Sequence, residues 1–492
     1  NPSVFTLNAN NNIVGGDVSV NANATVIANS RGALGTVSDD LFIYGNLAIN
    51  AAGAFGGDAF NIYLGGNVVL NADDGFYDAD TNNYAGALNF RGTSVMDLNG
   101  HNWRATSLYY GVNAGAGGMW LVNNNATQQG TLTLTGTMTA EPNSGENFIG
   151  DNITIYLAET ANVTRTFFTN GTGATASTVN IAASIADSAT AGVVANLQKT
   201  GPGTLVLKGM NTYTGATQAN AGTLVLDYSE NTGSKLADAA ELRIGGATVR
   251  LQGNATEAVT EDVGSANVTG RSEIQMVTAG TDLTFNLNSI SRTPGGALRI
   301  TYDNAGGGVG TVTTDNLNYH GILSGGITVV DSLGYNWAYN AGGGTEGTAD
   351  GAIRAFTAYS LDSFNAGDNT DVSYGDHDLS LATFLSHSLR FNGTMGTPSD
   401  TTVTLPSVVN VLSSGGIMVT PSVGPYDITI TGGSLTPGGL TAYDGYELTV
   451  LQNNLDGRLI IESPIVNNGE TWASLGKHGV GTLVLSGAST YG

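Results

Sequence analysis

The sequence predicts an all-β protein, a right-handed parallel β-helix (β-solenoid) with one elaborated, loop-rich section. The pentapeptide Gly-Thr-Leu-Val-Leu occurs at residues 203–207 and again at 222–226, a step of 19 residues. Short segments with alternating apolar residues recur along the chain between Gly, Asn or Asp, which is the pattern of strands separated by turns. Helical periodicity is almost absent, and its best trace, at 182–195, is weak.

The repeated pentapeptide predicts how successive turns of the coil stack. Alternate side chains of a strand share one face, so Leu205 and Leu207 point the same way. If one circuit takes 19 residues, Leu224 lies on Leu205 and Leu226 lies on Leu207. No single rung of a solenoid can bury its apolar face without neighbours. We therefore predict two inward leucine ladders.

The same stretch returns at the end of the chain. Residues 475–491 repeat residues 197–213 in register, with Lys477 matching Lys199 and Tyr491 matching Tyr213. The shared pattern K-x-G-x-G-T-L-x-L-x-G-x-(N/S)-T-Y resembles the autotransporter-associated β-strand repeat of large secreted passenger proteins in diderm bacteria. The resemblance implies an exported β-helical protein at the outer cell surface or outside the cell. It implies no particular enzyme activity.

Changes in sequence texture divide the chain into four predicted sections. They are N-terminal β-helix rungs at 1–196, the repeat and following rungs at 197–270, an aromatic- and glycine-rich elaborated β section at 271–400, and C-terminal rungs at 401–492 that end in a second, truncated repeat. Because the second repeat reaches Gly492 in mid-pattern, we expect a single rod, on the order of 100 Å long, that continues past Gly492 or stacks on another copy.

Composition excludes several classes of protein. There are 16 Lys and Arg against 40 Asp and Glu, and the net charge of −24 disfavours nucleic acid as a partner. No apolar run reaches membrane-spanning length. Cysteine is absent, which fits an exported chain whose core needs no disulfide. The acidic surface favours divalent cations.

Two acidic stretches are candidate calcium sites. In the first, Asp78, Asp80 and Asn82 present oxygens at alternate positions, as a calcium loop requires. Asn83 and Asn89 stand where such a loop has its glycine and its bidentate Glu, so a solvated acidic turn is the alternative. The same two alternatives apply to a second patch, which comprises Asp362, Asp368, Asp371, Asp376 and Asp378. Calcium is the only cofactor considered.

Catalytic residues are not predicted. Fragments of pectin-cleaving β-helix motifs occur in scrambled order, at Asp73-Asp74, Gly100-His101, Arg299-Ile300 and 369–371. No G-x-S-x-G motif occurs, and the histidines lack convincing partners. His478 corresponds to Thr200 of the first repeat, which predicts a turn position. A polysaccharide hydrolase or lyase acting on extracellular glycans is the alternative function.

Aromatic residues crowd into the elaborated section and form the candidate interaction site. They could stack on glycans or dock another protein, or they could fold onto the solenoid wall and bury one another. The residues are Tyr319, Tyr335, Trp337, Tyr339, Phe356 and Tyr359.

The sequence thus predicts a non-enzymatic structural segment of a large exported bacterial fibre, stalk or adhesin. The expected partners are further rungs or copies of the same rod, and glycans or surface proteins.

Overall fold

Parallel strands stacked rung upon rung make up most of the computed structural model, which describes residues 3–9, 17–34, 40–54, 61–78, 83–84, 87–111, 118–142, 146–342, 351–438 and 446–492. Two short 3₁₀ turns, Gly173–Thr175 and Pro421–Val423, occur in these ranges, and no α-helix does. The prediction of an all-β parallel solenoid is confirmed.

The first coil, defined as residues 3–331, has one long face of parallel strands. Each strand pairs with the strand one rung earlier and one rung later, so the backbone of every rung is bonded to its neighbours. The strands of this face, in chain order, are Ser3–Leu7, Ala24–Ala28, Asn46–Ile49, Asn67–Leu70, Ser94–Asp97, Met119–Val122, Asn147–Ile149, Thr178–Ile181, Thr204–Leu207, Thr223–Asp227, Thr248–Gln252, Arg271–Val277, Ala297–Asp303 and Ile327–Asp331.

A second face of the first coil runs beside it. Its strands are Val18–Val20, Leu41–Ile43, Ile62–Leu64, Ala87–Phe90, Ser107–Tyr110, Met138–Ala140, Val163–Thr169, Ala195–Thr200, Thr217–Ala219, Glu241–Ile244, Ser265–Val268 and Ser289–Arg292. A third face is formed in two stretches, by Asn102–Ala105, Gly130–Leu134, Ile153–Tyr156 and Ser184–Ala186, and by Val259–Asp262, Leu283–Asn286 and Gly310–Thr314. A small antiparallel hairpin joins Tyr77–Asp78 to Asn83–Tyr84.

The predicted leucine ladders are present. Leu205 pairs in register with Leu224, and Leu207 pairs with Leu226, and all four side chains are buried in the first core. Gly203 permits the close approach of rungs, because a Cβ there would lie 2.6 Å from the carbonyl oxygen of Ser177. The rung length of 19 residues applies to this pair of rungs and not to the whole coil. On the same ladder, Val179 precedes Leu205 by 26 residues (205 − 179).

An asparagine ladder lies outside the first rungs. Asn29, Asn50, Asn71 and Asn99 each donate their side-chain amide to the asparagine one rung earlier, beginning with Asn8, at 2.7 Å per bond. The first four members stand 21 residues apart in the sequence. The ladder supplies side-chain hydrogen bonds parallel to those of the backbone.

The first coil ends in an antiparallel meander. Ile327–Asp331 pairs antiparallel with Gly334–Asn340, which pairs antiparallel with Gly351–Ala355. The last strand also pairs with Gly310–Thr314 of the third face. This meander stops the stacking of parallel rungs and redirects the chain.

The second coil, residues 360–485, has its own core. One face consists of Ser360–Leu361, Asn369–Val372, Ser388–Phe391, Gly416–Val419, Glu447–Gln452 and Ser474–His478. The other consists of Gly375–Asp378, Thr401–Leu412, Ile428–Pro437, Arg458–Ile461 and Thr482–Leu485. All of these strands pair in parallel.

The two coils lie side by side and run in opposite directions. Asn369 donates to the carbonyl of His320 at 2.6 Å, and the Gly295 amide donates to Glu447 at 2.7 Å. His478 lines a cavity together with Arg271. Residue numbers therefore fall along the first coil as they rise along the second. We expected a single run of rungs, but the chain forms two antiparallel coils. Outward side chains of the first coil pack against outward side chains of the second, and this contact holds the two coils together.

Candidate functional site

The interface between the coils is the candidate functional site. On the first coil, Glu273, Arg299 and Thr328 form an outward ladder on consecutive strands. On the second coil the outward ladder contains Arg390, Met418, Leu451 and His478. Alternation along each strand places the other residues in the two cores, so these ladders face across the interface.

A buried ion pair joins the coils. The Arg292 guanidinium lies 3.5 Å from the Glu447 carboxylate, and both side chains are at most 3% exposed. Arg292 also donates to the carbonyl of Gly296, while Glu447 accepts from the Gly295 amide and from the Thr449 hydroxyl at 3.2 Å. Several hydrogen bonds thus compensate the desolvation of both charges.

Most of the predicted interaction aromatics form a third core between the coils. Trp337 is fully buried and Phe356 is nearly so, in a cluster with Met418 and Leu451 of the second coil. The Tyr359 hydroxyl accepts the Trp337 amide at 3.0 Å. Tyr335, Tyr339 and Tyr359 are half-buried at the edge of this cluster. An external sugar cannot stack on Trp337, because its ring is enclosed by protein.

Two further contacts extend this layer. The Arg390 guanidinium lies 3.6 Å from the centroid of the Tyr359 ring and forms an ion pair with Asp371 at 2.5 Å. Tyr319 pairs through its backbone with Ile322 of the aromatic core, but its own ring packs on histidines, with its centroid 4.4 Å from that of His320 and 5.4 Å from that of His387.

A cavity of about 300 Å³ opens between the coils beside the ion pair. Glu273 and Arg299 form an ion pair of 2.6 Å within it, and Arg299 holds the pKa of Glu273 below its ordinary value despite burial. The cavity is lined by Gly246, Ala247, Thr248, Arg271, Ser272, Glu273, Ala297, Leu298, Arg299, Thr328, Tyr335, Leu451, Asn453, His478 and Gly479.

His478 corrects a sequence prediction. It ends the strand Ser474–His478 and is 7% exposed, so it does not occupy a turn. The outward positions of this strand face the first coil rather than solvent. Burial, followed by the charges of Arg292, Arg271 and Lys477, lowers the pKa of His478 to about 4. The side chain is therefore neutral at physiological pH.

The repeat lysine has a structural role that the sequence reasoning missed. Lys199 is fully buried, and its Nζ donates to the carbonyls of Thr200, Gly201 and Ala221 at 2.7 to 3.0 Å. Burial lowers its pKa to about 8. Lys477, its counterpart in the second copy, donates to the Gly479 carbonyl at 2.8 Å. The recurrence of lysine before a glycine-rich corner was the available signal.

The first predicted calcium site cannot be assembled from the described residues. Asp80 and Asn82 lie outside them, and Asp78 belongs to the small hairpin. Over the ranges that the structure describes, no group of three or more His, Asp or Glu side chains is placed to hold a metal ion. Calcium binding stays a prediction.

In the second acidic patch, most carboxylates bind groups of their own chain. Asp362 accepts from the amide and hydroxyl of Ser373, and Asp371 pairs with Arg390. Asp368 accepts from two serine hydroxyls and the Asn365 amide, and Asp378 accepts from the Ser380 amide. Burial acts to raise the pKa of Asp368, but its hydrogen bonds together outweigh burial and lower it, while the hydroxyl and the amide of Ser380 lower the pKa of Asp378.

The fragments that resemble hydrolase motifs do not converge on one site. Asp73 and His101 do meet, at 3.1 Å on adjacent rungs. Arg299, however, lies in the cavity between the coils, and Asp371 is bound to Arg390.

Two comparisons with known proteins bear on this arrangement. A family model described as the passenger-associated transport repeat matches residues 197–226 and 475–492. The adhesin BmaC autotransporter of Brucella suis biovar 1 (strain 1330) is 29% identical over 294 residues, which is 57% of this chain. The chain spans 8% of the length of that relative. No solved structure matches.

Within the described ranges, no helix has the length and apolar character needed to cross a bilayer.

The matched repeat includes the leucine ladders and the glycine-rich corners whose carbonyls accept from Lys199 and Lys477. The repeat and the adhesin relative together indicate a location outside the cell or on its outer surface. The chain carries the passenger-associated transport repeat in two copies, and it resembles the β-solenoid passengers of proteins secreted by diderm bacteria.

Proposed function

We propose that this chain is a non-enzymatic structural segment of a large exported adhesin or fibre. The observation that supports this most directly is the pair of antiparallel coils joined by a buried ion pair and an aromatic core. The likeness to an autotransporter adhesin points the same way.

The physical basis of the function is stiffness. Each rung is hydrogen-bonded to the next, and the asparagine ladder reinforces the first rungs. A second coil packed along the first resists bending more than one coil does, because bending would shear the layer around Trp337. Such a segment holds attached binding regions away from the cell. Its partners would be further rungs, other copies, glycans or proteins of a host surface.

The test is surface display and adhesion by the native bacterium. An epitope inserted at the fully exposed Leu381 should be labelled by antibody on intact cells. In-frame deletion of residues 1–492 should reduce attachment to host cells or abiotic surfaces, while the remaining protein is still displayed. Unlabelled intact cells, or unchanged attachment of the deletion strain, would contradict the proposal.

The alternative, a glycan-cleaving enzyme, has its own assay. The purified chain should release no reducing ends or unsaturated products from polygalacturonate or other acidic polysaccharides. Release of such products, abolished by Asp73→Asn or His101→Gln, would favour the enzyme, because these two residues form the Asp–His pair of adjacent rungs.

A further inference from the structure

We propose that Lys235 and Asn231 become joined by an intramolecular isopeptide bond. The Lys235 amine attacks the side-chain carbonyl carbon of Asn231, and the asparagine nitrogen leaves as ammonia. This modification goes beyond the proposed structural function, which needs no covalent bond between side chains. A rod without the bond would still present other regions, so the two proposals can fail separately.

The two reacting groups are in contact on one loop of the first coil, which connects the strands Thr223–Asp227 and Glu241–Ile244. The Nζ atom of Lys235 lies 2.6 Å from Oδ1 of Asn231. Because a carbonyl bond is about 1.23 Å long, the amine nitrogen is at most about 3.8 Å from the carbon that it attacks, close to the separation at which such groups react. The Asn231 amide is held in place, since its Nδ2 donates to the carbonyl of Lys208 at 2.8 Å.

The Lys235 amine is buried without the partners that an ammonium group requires. Its side chain is fully buried, and an ammonium group has three donors to satisfy. Lys199 is equally buried, and it donates to three carbonyls at 2.7 to 3.0 Å. Among the residues that the structure describes, Lys235 has one close acceptor, the Asn231 Oδ1 atom, and one weak contact of 3.4 Å with the backbone carbonyl of the same residue. The site therefore favours the neutral amine, which is the nucleophilic form.

The charges around Lys235 allow this neutral form near physiological pH. Burial lowers the pKa of Lys235 to about 8, although the carboxylates of Glu261, Asp227 and Glu230 act in the opposite direction. Within the described ranges the amine forms no ion pair, and it lies 4.9 Å from the centroid of the Tyr228 ring. At pH 7 roughly a tenth of the amine is therefore neutral. This fraction is enough for a slow reaction to reach completion, because the ammonia is lost to solvent.

Glu261 holds the loop against the coil. Its carboxylate accepts from the Lys235 amide at 3.0 Å, from the Leu236 amide at 2.7 Å and from the Ser234 hydroxyl at 3.1 Å. These bonds fix the backbone from which the lysine side chain extends. The lysine is thus kept beside Asn231 rather than free to leave it.

The reaction needs no further reagent. The bond from Nζ to Cγ forms and the bond from Cγ to Nδ2 breaks, while one amine proton moves to the leaving nitrogen. The products are a secondary amide and one ammonia, and nothing is oxidised or reduced. Negative charge develops on Oδ1 of Asn231 during the attack, and the Gly233 amide donates to this atom at 3.3 Å. The product also removes a buried positive charge from the loop.

The experiment is mass spectrometry of the intact 492-residue chain, folded, purified and then incubated at neutral pH. We expect a mass lower than that of the sequence by one ammonia. After denaturation, a protease specific for lysine should cleave after Lys199 and Lys208 but not after Lys235. Fragment spectra of the resulting peptide should place the link between Asn231 and Lys235.

Two variants each remove one reacting group. Lys235→Arg keeps a positive charge but has no amine of this kind, and Asn231→Ala has no side-chain amide, so both should have the full mass of their sequences. The control is Lys208→Arg, which changes a lysine paired with Glu230 and should still lose one ammonia. Circular dichroism establishes that each variant is folded, and the measurement on the native chain depends on no variant.

The proposal is overturned if the folded native chain keeps its full mass after incubation, or if folded Lys235→Arg or Asn231→Ala still loses ammonia. A cyclic imide at an asparagine releases ammonia too, but it leaves the bond after Lys235 open to cleavage. A loss of ammonia together with normal cleavage after Lys235 would therefore also overturn the proposal.

Discussion

Arg292 and Glu447 are 155 residues apart in the chain and form a buried ion pair that joins the two coils. Neither residue belongs to a repeat. Arg292 is the last residue of the strand Ser289–Arg292 in the first coil, and Glu447 is the first residue of the strand Glu447–Gln452 in the second coil. The ion pair can form only when the second coil packs against the first. It also provides the first of five predictions.

Glu447→Gln should destabilise the packed coils by about 3 kcal/mol or more, because it leaves the Arg292 charge buried without its counter-ion. Urea unfolding followed by circular dichroism measures the change. The control is Asp427→Asn, which breaks the exposed pair with Arg458 and should leave the unfolding curve almost unchanged. Equal effects of the two substitutions would show that the pair does not fasten the coils.

Leu205→Asp should destabilise the first coil by more than about 4 kcal/mol, since it buries an unpaired charge in the leucine ladder. The matched control is Thr204→Asp on the same strand, whose side chain is half-buried on the outer face. Thermal unfolding distinguishes the two. A mild effect at Leu205 would mean that the core can admit water at this rung.

Asn50→Ala should cost about 1–3 kcal/mol, because Asn50 bonds to both Asn29 and Asn71 in the asparagine ladder. Asn46→Ala removes a single ladder bond, to Asn67, and should cost about half as much. Unfolding midpoints of the two variants provide the comparison. If Asn50→Ala is no worse than Asn46→Ala, the ladder does not act as a continuous chain of bonds.

Stability should fall in acid through His478. Its pKa is about 4 in the folded chain and 6.5 ordinarily, so the unfolded chain binds more protons between these values. The contribution of the neutral side chain is thus complete above about pH 6.5 and is lost as the pH falls towards 4. His387, with a pKa lowered to about 3 by burial, acts in the same direction.

The measurement is the melting temperature of the native chain and of His478→Gln between pH 7.5 and pH 4. The native chain should lose more stability than the variant over this range. Parallel curves for the two proteins would show that His478 does not titrate differently in the folded and unfolded states.

Calcium binding at Asp78, Asp80 and Asn82 predicts that a chelator lowers the melting temperature and that added calcium restores it. Asp78→Asn should reduce this response. The Asp371→Asn variant is a useful comparison, because Asp371 is bound to Arg390 and should not contribute to calcium dependence. Identical melting curves with and without the chelator would assign these residues to a solvated turn.

Strand positions and the stacking of neighbouring rungs were predictable, because each rung of a solenoid pairs with a rung that is close to it in the sequence. The strand 204–207 alternates its side chains between two faces, and an identical strand follows after one circuit, so the pairing of Leu205 with Leu224 could be read directly. The 21-residue spacing of Asn8, Asn29, Asn50 and Asn71 carried the same kind of information but was overlooked.

The interface between the coils was not predictable in this way. His478 looked like a turn residue because its counterpart Thr200 stands beside a glycine-rich corner, yet it is buried against the first coil. Trp337 was a candidate for ligand stacking and is instead enclosed by Met418 and its neighbours. No periodicity links residues so far apart in the chain, and their burial depends on which outer faces meet.

The sequence by itself determined the β-solenoid class, the leucine ladders and the likeness to secreted passengers, because alternation and repeat spacing act within one or two rungs. The tertiary structure alone decided that the strands Ile327–Asp331, Gly334–Asn340 and Gly351–Ala355 pair antiparallel and end the first coil, that the second coil lies along the first, and that a cavity forms between Arg271 and His478. The physical reason is that strand pairing within a coil is local, whereas packing between coils depends on the shape and charge of two separately formed surfaces.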